Sequence, residues 1–203
     1  MDDCVVIALF RHGLTEANKR KAYLGWKDST LSPEAMKILP MRAYDACFSS
    51  DLQRCVKTAK LLFPNSNPQR FEEFREINFG KWDGKTYEDL KEDSLYRQWL
   101  SDPLRYCPPD GESFRQFQER LQVGWGKIVA EIFRQNLKSS SVITHGGVIR
   151  YLLSRYAPIK KEFWEWHSSH TQGYELIFSR EALRRGERCT LLQAVPLTEK
   201  ENG

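Results

Sequence analysis

No two cysteines stand in a CxxC spacing, and no apolar stretch approaches the ~20 residues a membrane-spanning helix needs. The five cysteines, Cys4, Cys47, Cys55, Cys107 and Cys189, are odd in number and scattered. Neither a zinc site nor a disulfide framework is indicated, and reduced thiols in a cytoplasmic protein are the expectation. No catalytic role is assigned to any of them. Charge of one sign is also missing: the formal net charge is only +4, and the basic residues form no patch. Nucleic-acid binding is therefore unsupported. The acidic opening Met1-Asp2-Asp3 runs straight into an apolar segment, unlike a secretory signal. Neither an internal repeat nor a linker is visible, so one domain over residues 1–203 is expected.

What is present begins with Cys4-Val5-Val6-Ile7-Ala8-Leu9-Phe10, short, apolar and rich in branched side chains. Such a run reads as a strand buried on both faces, the habit of parallel sheets in α/β folds. Parallel sheets carry their chemistry in loops beyond the strands' carboxyl ends. Arg11-His12-Gly13 follows there directly. A second buried-strand candidate, Ser141-Val142-Ile143-Thr144, ends in His145-Gly146-Gly147 and leads into a helix through Val148, Leu152 and Leu153.

Between these lie Ala46-Cys47-Phe48, a brief strand, and a helix carrying Arg54, Val56, Ala59 and Leu62 that Ser50 or Asp51 is expected to cap. Ser32-Pro33-Glu34 reads as another helix start, closed by Pro40, and Thr15 to Asn18 as the opening of a short helix. Residues 69–112 are irregular and aromatic, in the manner of a lid or pocket wall. Phe114, Phe117, Leu121, Trp125, Ile128 and Ile132 then recur at helical spacing. Tyr174–Phe178 and Thr190–Leu192 suggest a late edge hairpin, followed by a loose polar tail beyond Pro196. Arg11, Arg54, His12 and His145 together suit a dianionic phosphoryl group, since guanidinium forks match phosphate oxygens and an imidazole can attack phosphorus. Helix starts facing the same crevice would add backbone N–H donors for that anion.

These segments resemble the histidine phosphatase superfamily, in its phosphoglycerate mutase-like branch. The resemblance rests on Leu9-Phe10-Arg11-His12-Gly13-Leu14-Thr15 with Asn18, Gly25-Trp26-Lys27-Asp28 with Leu31-Ser32, and Ser49 to Arg54 with Thr58-Ala59. Arg75-Glu76-Ile77-Asn78-Phe79-Gly80-Lys81-Trp82-Asp83-Gly84, Gly111-Glu112-Ser113 and Thr144-His145-Gly146-Gly147 complete the series, in family order. It implies a three-layer α/β sandwich with a mostly parallel central sheet flanked by helices. It also implies His12 as the nucleophile forming a phosphohistidine, and Glu76 as the acid that protonates the leaving oxygen and later assists water. Arg11, Arg54 and His145 would surround the phosphoryl oxygens with help from Asn18, and Gly25 and Gly146 fall at substrate-binding positions. No metal or cofactor is implied.

The sequence departs from the branch in places. The helix after Leu31 lacks a glycine near its start, and Leu24 replaces a polar residue that many relatives carry. Mutases usually follow the acid with an arginine that holds the glycerate carboxylate, whereas Glu76 is followed by Ile77-Asn78. No paired arginines occur between Glu76 and His145. Hydrolysis of a small phosphate ester is therefore expected, with phosphoglycerate mutase or a non-catalytic phospholigand-binding module as alternatives. The motifs do not separate broad-specificity from α-ribazole phosphatases. Aromatic residues at 78–112, Trp82, Tyr87, Tyr96, Trp99 and Tyr106, fit either a specificity pocket or a packed lid. His167 and His170 lie outside the motifs and read as structural or surface residues, Thr15 as a local support of the His12 loop. Monomer and homodimer both remain open.

Overall fold

In the computed structural model, which describes residues 4–170 and 172–197, a six-stranded sheet runs in the order β3-β2-β4-β1-β5-β6. The strands are β1 (Cys4–Arg11), β2 (Ala46–Ser50), β3 (Gln69–Phe71), β4 (Ser139–Thr144), β5 (Gln172–Ser179) and β6 (Leu191–Pro196). β1, β2, β3 and β4 pair in parallel, while β5 and β6 join antiparallel. The helices are α1 (Glu16–Lys19), α2 (Gln53–Leu62), α3 (Tyr87–Leu90), α4 (Ser94–Ser101), α5 (Phe114–Arg134), α6 (Gly146–Tyr156) and α7 (Arg180–Arg185). None of the described helices is long and apolar enough to cross a membrane.

Alternation along β1 explains its unbroken apolar sequence. Val5, Ile7 and Leu9 enter the core built by α5 and α6, while Ala8 and Phe10 enter the one built with Cys55, Ala59 and Leu62 of α2. Successive strand residues point to opposite faces, so a strand covered on both sides needs apolar residues at every position. The parallel register places Arg11 opposite Thr144, and the pairing continues one residue further as His12 N donates to Thr144 O at 2.8 Å. The two strands that end in an imidazole are therefore neighbours, and both imidazoles emerge at the same carboxyl end of the sheet.

Four local expectations need correction. The segment after Ser32-Pro33 forms only one 3-10 turn, Ala35–Lys37, because Pro40 leaves no room for more. Neither Ser50 nor Asp51 serves as the N-cap of α2; that position is Leu52, which has no capping side chain. The Asp28 carboxylate fills the role from a distant loop, accepting from Gln53 N at 2.6 Å and Arg54 N at 3.2 Å. β5 and β6 form the expected antiparallel pair at one edge of the sheet, but α7 joins them in place of a tight hairpin turn. Residues 69–112 hold more order than expected: β3, α3 and α4 lie within them, with Asp93 capping α4. The readings made for Met1–Asp3 and for the tail from residue 198 onward fall outside the described residues.

Candidate active site

His12 leaves the end of β1 almost wholly buried, at 3% exposure. Its Nδ1 lies 2.8 Å from Gly13 O. A carbonyl only accepts, so Nδ1 carries the hydrogen and Nε2 keeps its lone pair. Burial first, then the charges of Arg54 and Arg11, hold this imidazole well below its ordinary pKa. It is neutral and oriented as a nucleophile must be. Gly13 is required next to it, since a Cβ there would stand 2.8 Å from the Ala35 Cβ.

His145 follows β4 and is fully buried. Its Nδ1 stands 3.2 Å from Arg54 Nη2, a group that only donates, so this imidazole carries its hydrogen on Nε2 and gives it to Ser50 Oγ at 2.9 Å. Burial, and then Arg54, push its pKa well down as well. The His12 and His145 rings lie edge to face with centroids 5.3 Å apart.

The cations are held by backbone carbonyls more than by carboxylates. Arg54, at 1% exposure, donates to Gly25 O at 2.5 Å and Lys27 O at 2.7 Å, with the Asp28 carboxylate at 3.4 Å. Arg11 donates to Ser168 O at 2.6 Å. The Nε atoms of both guanidinium groups are buried without a hydrogen-bond partner. An unpartnered buried cationic donor costs free energy, and an anion placed between the two groups removes that cost. Among the described residues no cluster of three His, Cys, Asp or Glu side chains is placed to hold a metal ion.

Glu76 faces this cluster from the loop after Phe74. Its Oε2 accepts from Gly147 N at 2.9 Å and its Oε1 from its neighbour Ile77 N at 3.0 Å. The Glu76 loop is fixed from three sides. Thr144 Oγ1 donates to Phe74 O at 2.9 Å, and Trp26 Nε1 donates to Glu76 O at 2.9 Å. Arg120 donates to Glu73 O at 2.7 Å, Arg75 O at 3.0 Å and Glu76 O at 3.2 Å while paired with Glu112. Glu112 is thereby committed to Arg120 and to Asn78 N, and Glu73 to Lys127. Both of these neighbouring carboxylates are thus engaged away from the histidines.

The remaining residues singled out in the sequence occupy different positions. Both polar backbone groups of Gly25 are spent inside the protein, its N–H on Asp83 Oδ1 at 2.9 Å and its carbonyl on Arg54. Gly146 opens α6 beside Arg11, whose Cζ would lie 3.3 Å from an added Cβ. Asn18 Oδ1 is taken by the capping box of α1, accepting from Thr15 Oγ1 at 2.9 Å, so only its NH2 end could meet a ligand. Leu24 packs inward with Ala17 and Ala22.

Of the two roles read for His170, the structural one holds, and it is played at the site itself. His170 donates from Nδ1 to His12 O at 2.8 Å, with its ring centroid 5.5 Å from that of His12. Burial, then Arg11, lower its pKa to about 4. No sequence signal marked it, because it arrives on a loop between α6 and β5. The helix starts are another difference: carboxylates of the protein, Asp28 at α2 and Glu76 at α6, already occupy N–H groups there.

Residues 7–185 match the family model of the histidine phosphatase superfamily, branch 1. The chain belongs to this family. It is 27% identical over 177 residues to the adenosylcobalamin/alpha-ribazole phosphatase of Escherichia coli, covering 81% of this chain and 85% of the relative. A broad-specificity phosphatase of Saccharomyces cerevisiae is 30% identical over 176 residues, covering 75% and 71%. The phosphoglycerate mutase of Schizosaccharomyces pombe is 30% identical over 172, covering 73% and 77%. In fold, the chain superposes on the alpha-ribazole phosphatase from Shigella flexneri with a TM-score of 0.79 at 21% identity, covering 95% and 96%. For phosphoglycerate mutase from Thermus thermophilus the TM-score is 0.64 at 29% identity, covering 94% and 99%.

Proposed function

We propose that this histidine phosphatase family member hydrolyses phosphate monoesters without a metal ion, through a phosphohistidine on His12 Nε2. The observation that carries the reading is the pair of buried guanidinium groups with unpartnered Nε atoms beside a neutral imidazole of fixed tautomer. In the first step Nε2 attacks phosphorus and the bond from phosphorus to the ester oxygen breaks. Gly13 O keeps its hydrogen bond to Nδ1–H and stabilises the positive charge the ring acquires. Arg11 and Arg54 meet the charge on the phosphoryl oxygens, the largest catalytic contribution in such transfers. Glu76 gives a proton to the departing alkoxide, then takes one from the water that releases phosphate.

Water is favoured over a second phosphoglycerate as acceptor because Ile77 stands where mutases carry a carboxylate-binding arginine. Brief exposure to labelled substrate and an alkaline quench should trap acid-labile label on the His12 peptide, and activity should survive exhaustive chelation. Label persisting in His12→Ala, or loss on chelation reversed only by added divalent metal, overturns the reading. Phosphoglycerate isomerisation with bisphosphoglycerate would make the protein a mutase, and binding without turnover a non-catalytic module.

A further inference from the structure

Glu76 also lines a cavity of about 190 Å³ walled by Tyr23, Phe79, Trp99, Phe114, Phe163 and Trp164. The aromatic excursion therefore serves both roles left open by the sequence. Trp82, Tyr96 and Leu90 pack into a buried cluster, while Phe79 and Trp99 back the cavity. At this volume, below the ~300–1,000 Å³ of drug-sized sites, it takes one ring rather than two.

One cation lines this cavity. Arg150 stands one helical turn after Gly146 on α6, so it shares the face turned to the site. Its Nε is buried without a hydrogen-bond partner, and among the described residues it forms no ion pair with a carboxylate. Glu76, the one carboxylate in the same wall, accepts from Gly147 N and Ile77 N rather than from Arg150, so a ligand carboxylate can supply the partner that Arg150 lacks. Its neighbours in the wall are Glu76, Ile77 and Gly147, whereas His12, Arg54 and His145 lie outside it. The charge thus sits toward the alcohol half of an ester held over His12.

We infer that the preferred substrates are phosphate monoesters whose alcohol half carries one aromatic ring and a carboxylate, the ring stacking in the cavity and the carboxylate pairing with Arg150. The inference rests on the phosphatase reading for turnover, but not for binding. The small phosphorylated hydroxy acids of a mutase would leave the aromatic wall unfilled and forfeit that contact. Arg150 is a specificity-determining residue in this account, and its fork suits a carboxylate in two-point contact.

The test compares ethyl phosphate, benzyl phosphate, 3- and 4-carboxybenzyl phosphate and 3-phosphoglycerate. Benzyl phosphate should exceed ethyl phosphate in kcat/KM, and at least one carboxybenzyl isomer should exceed benzyl phosphate about tenfold, mainly through KM. Arg150→Met should erase the second preference and keep the first. Non-hydrolysable carboxybenzyl- and benzylphosphonates, titrated against the fluorescence of Trp99 and Trp164, give the same comparison without turnover. That arm also shows whether Arg150→Met retains a folded pocket. Equal use of ethyl and benzyl phosphates overturns the ring assignment. Carboxybenzyl esters no better than benzyl, or an equal loss on both in Arg150→Met, overturn the carboxylate assignment. 3-Phosphoglycerate matching the best carboxybenzyl ester also overturns the need for a ring. Selective phosphonate binding in a protein that hydrolyses nothing would sink the phosphatase reading alone.

Discussion

Glu76 Oε2 and the backbone N–H of Gly147 meet at 2.9 Å, joining the loop that carries the proposed acid to the first turn of the helix behind His145. A Cβ at residue 147 would lie 2.3 Å from Glu76 Oε1, so alanine cannot be added without turning the carboxylate away. The obstructing group is the end of a flexible side chain, and the fold should tolerate the change. Gly147→Ala should therefore keep its Tm, since alanine also favours the helix by ~1 kcal/mol. Hydrolysis of alkyl phosphates should fall by roughly 10²-fold, the lower range for loss of a general acid. p-Nitrophenyl phosphate, whose leaving group departs unprotonated, should be affected much less. Equal losses on the two substrates would remove Glu76 as the acid.

Arg120 fixes the same loop from the far side, holding the carbonyl oxygens of Glu73, Arg75 and Glu76 while paired with Glu112. It touches no reacting atom and is a positioning residue. In Arg120→Met the loop loses its clamp, and Glu112 and those carbonyls lose their donor. A general loss of stability would lower all substrates alike. Loss of positioning should instead steepen the dependence of kcat on leaving-group pKa, and Arg120→Lys should restore only part of it, lacking the fork. An unchanged leaving-group dependence in a folded Arg120→Met protein would show that the clamp is structural only.

Why the site was largely legible before the fold was known follows from its construction. Arg11-His12-Gly13 and His145-Gly146-Gly147 each end a run of apolar residues, and a buried parallel strand leaves that signature wherever it occurs. The groups that fix these residues in place were not legible. Asp28 caps α2 from 25 residues away, and Arg120 reaches carbonyls more than 40 positions distant. Such contacts depend on tertiary approach, which no local spacing encodes. His170 was missed for the same reason. The cap predicted at Ser50 or Asp51 failed because local side-chain chemistry competed with a better-placed carboxylate. Arg150 stood in plain sight four residues after Gly146, yet only the cavity shows which way its face turns.

Two glycines in α5 look equally destabilising in sequence, but their surroundings predict opposite outcomes. A Cβ at Gly124 would lie 2.7 Å from Glu73 Cβ and 2.9 Å from Phe74 Cε2, where the helix packs on the Glu72–Phe74 turn. Nothing lies within 4 Å of one at Gly126. Gly124→Ala should cost about 1–3 kcal/mol by overpacking and disturb the Glu76 loop. Gly126→Ala should add up to ~1 kcal/mol and leave activity alone. Urea titrations of the two variants read this directly. A stabilised Gly124→Ala protein would contradict the close packing.

Acid should unfold the unliganded protein through its histidines before its surface carboxylates respond. His12 and His145 are held well below their ordinary pKa and His170 at about 4, in each case chiefly by burial. In the unfolded chain all three titrate near 6.5. Below that pH the unfolded state binds protons that the folded state refuses, so the free energy of unfolding falls as pH falls. The window opens near pH 6.5, and for His170 it closes around 4, where the folded protein takes up the same proton. Glu34 and Glu131, lowered to about 2 by side-chain hydrogen bonds, to Ser32 for Glu34 and Arg134 for Glu131, enter only as the pH falls through the ordinary carboxylate value of 4.5. Urea midpoints should therefore drop steadily between pH 6.5 and 4.5. In His170→Asn, which keeps a donor for His12 O, the slope should be shallower by up to ~1.4 kcal/mol per pH unit, the limit for one proton. Turnover should follow a different course, because His12 is already neutral and needs no deprotonation on the acid side of 6.5. A midpoint independent of pH across this window would mean that the imidazoles are not buried in neutral form, and the orientation assigned to His12 would fail with it.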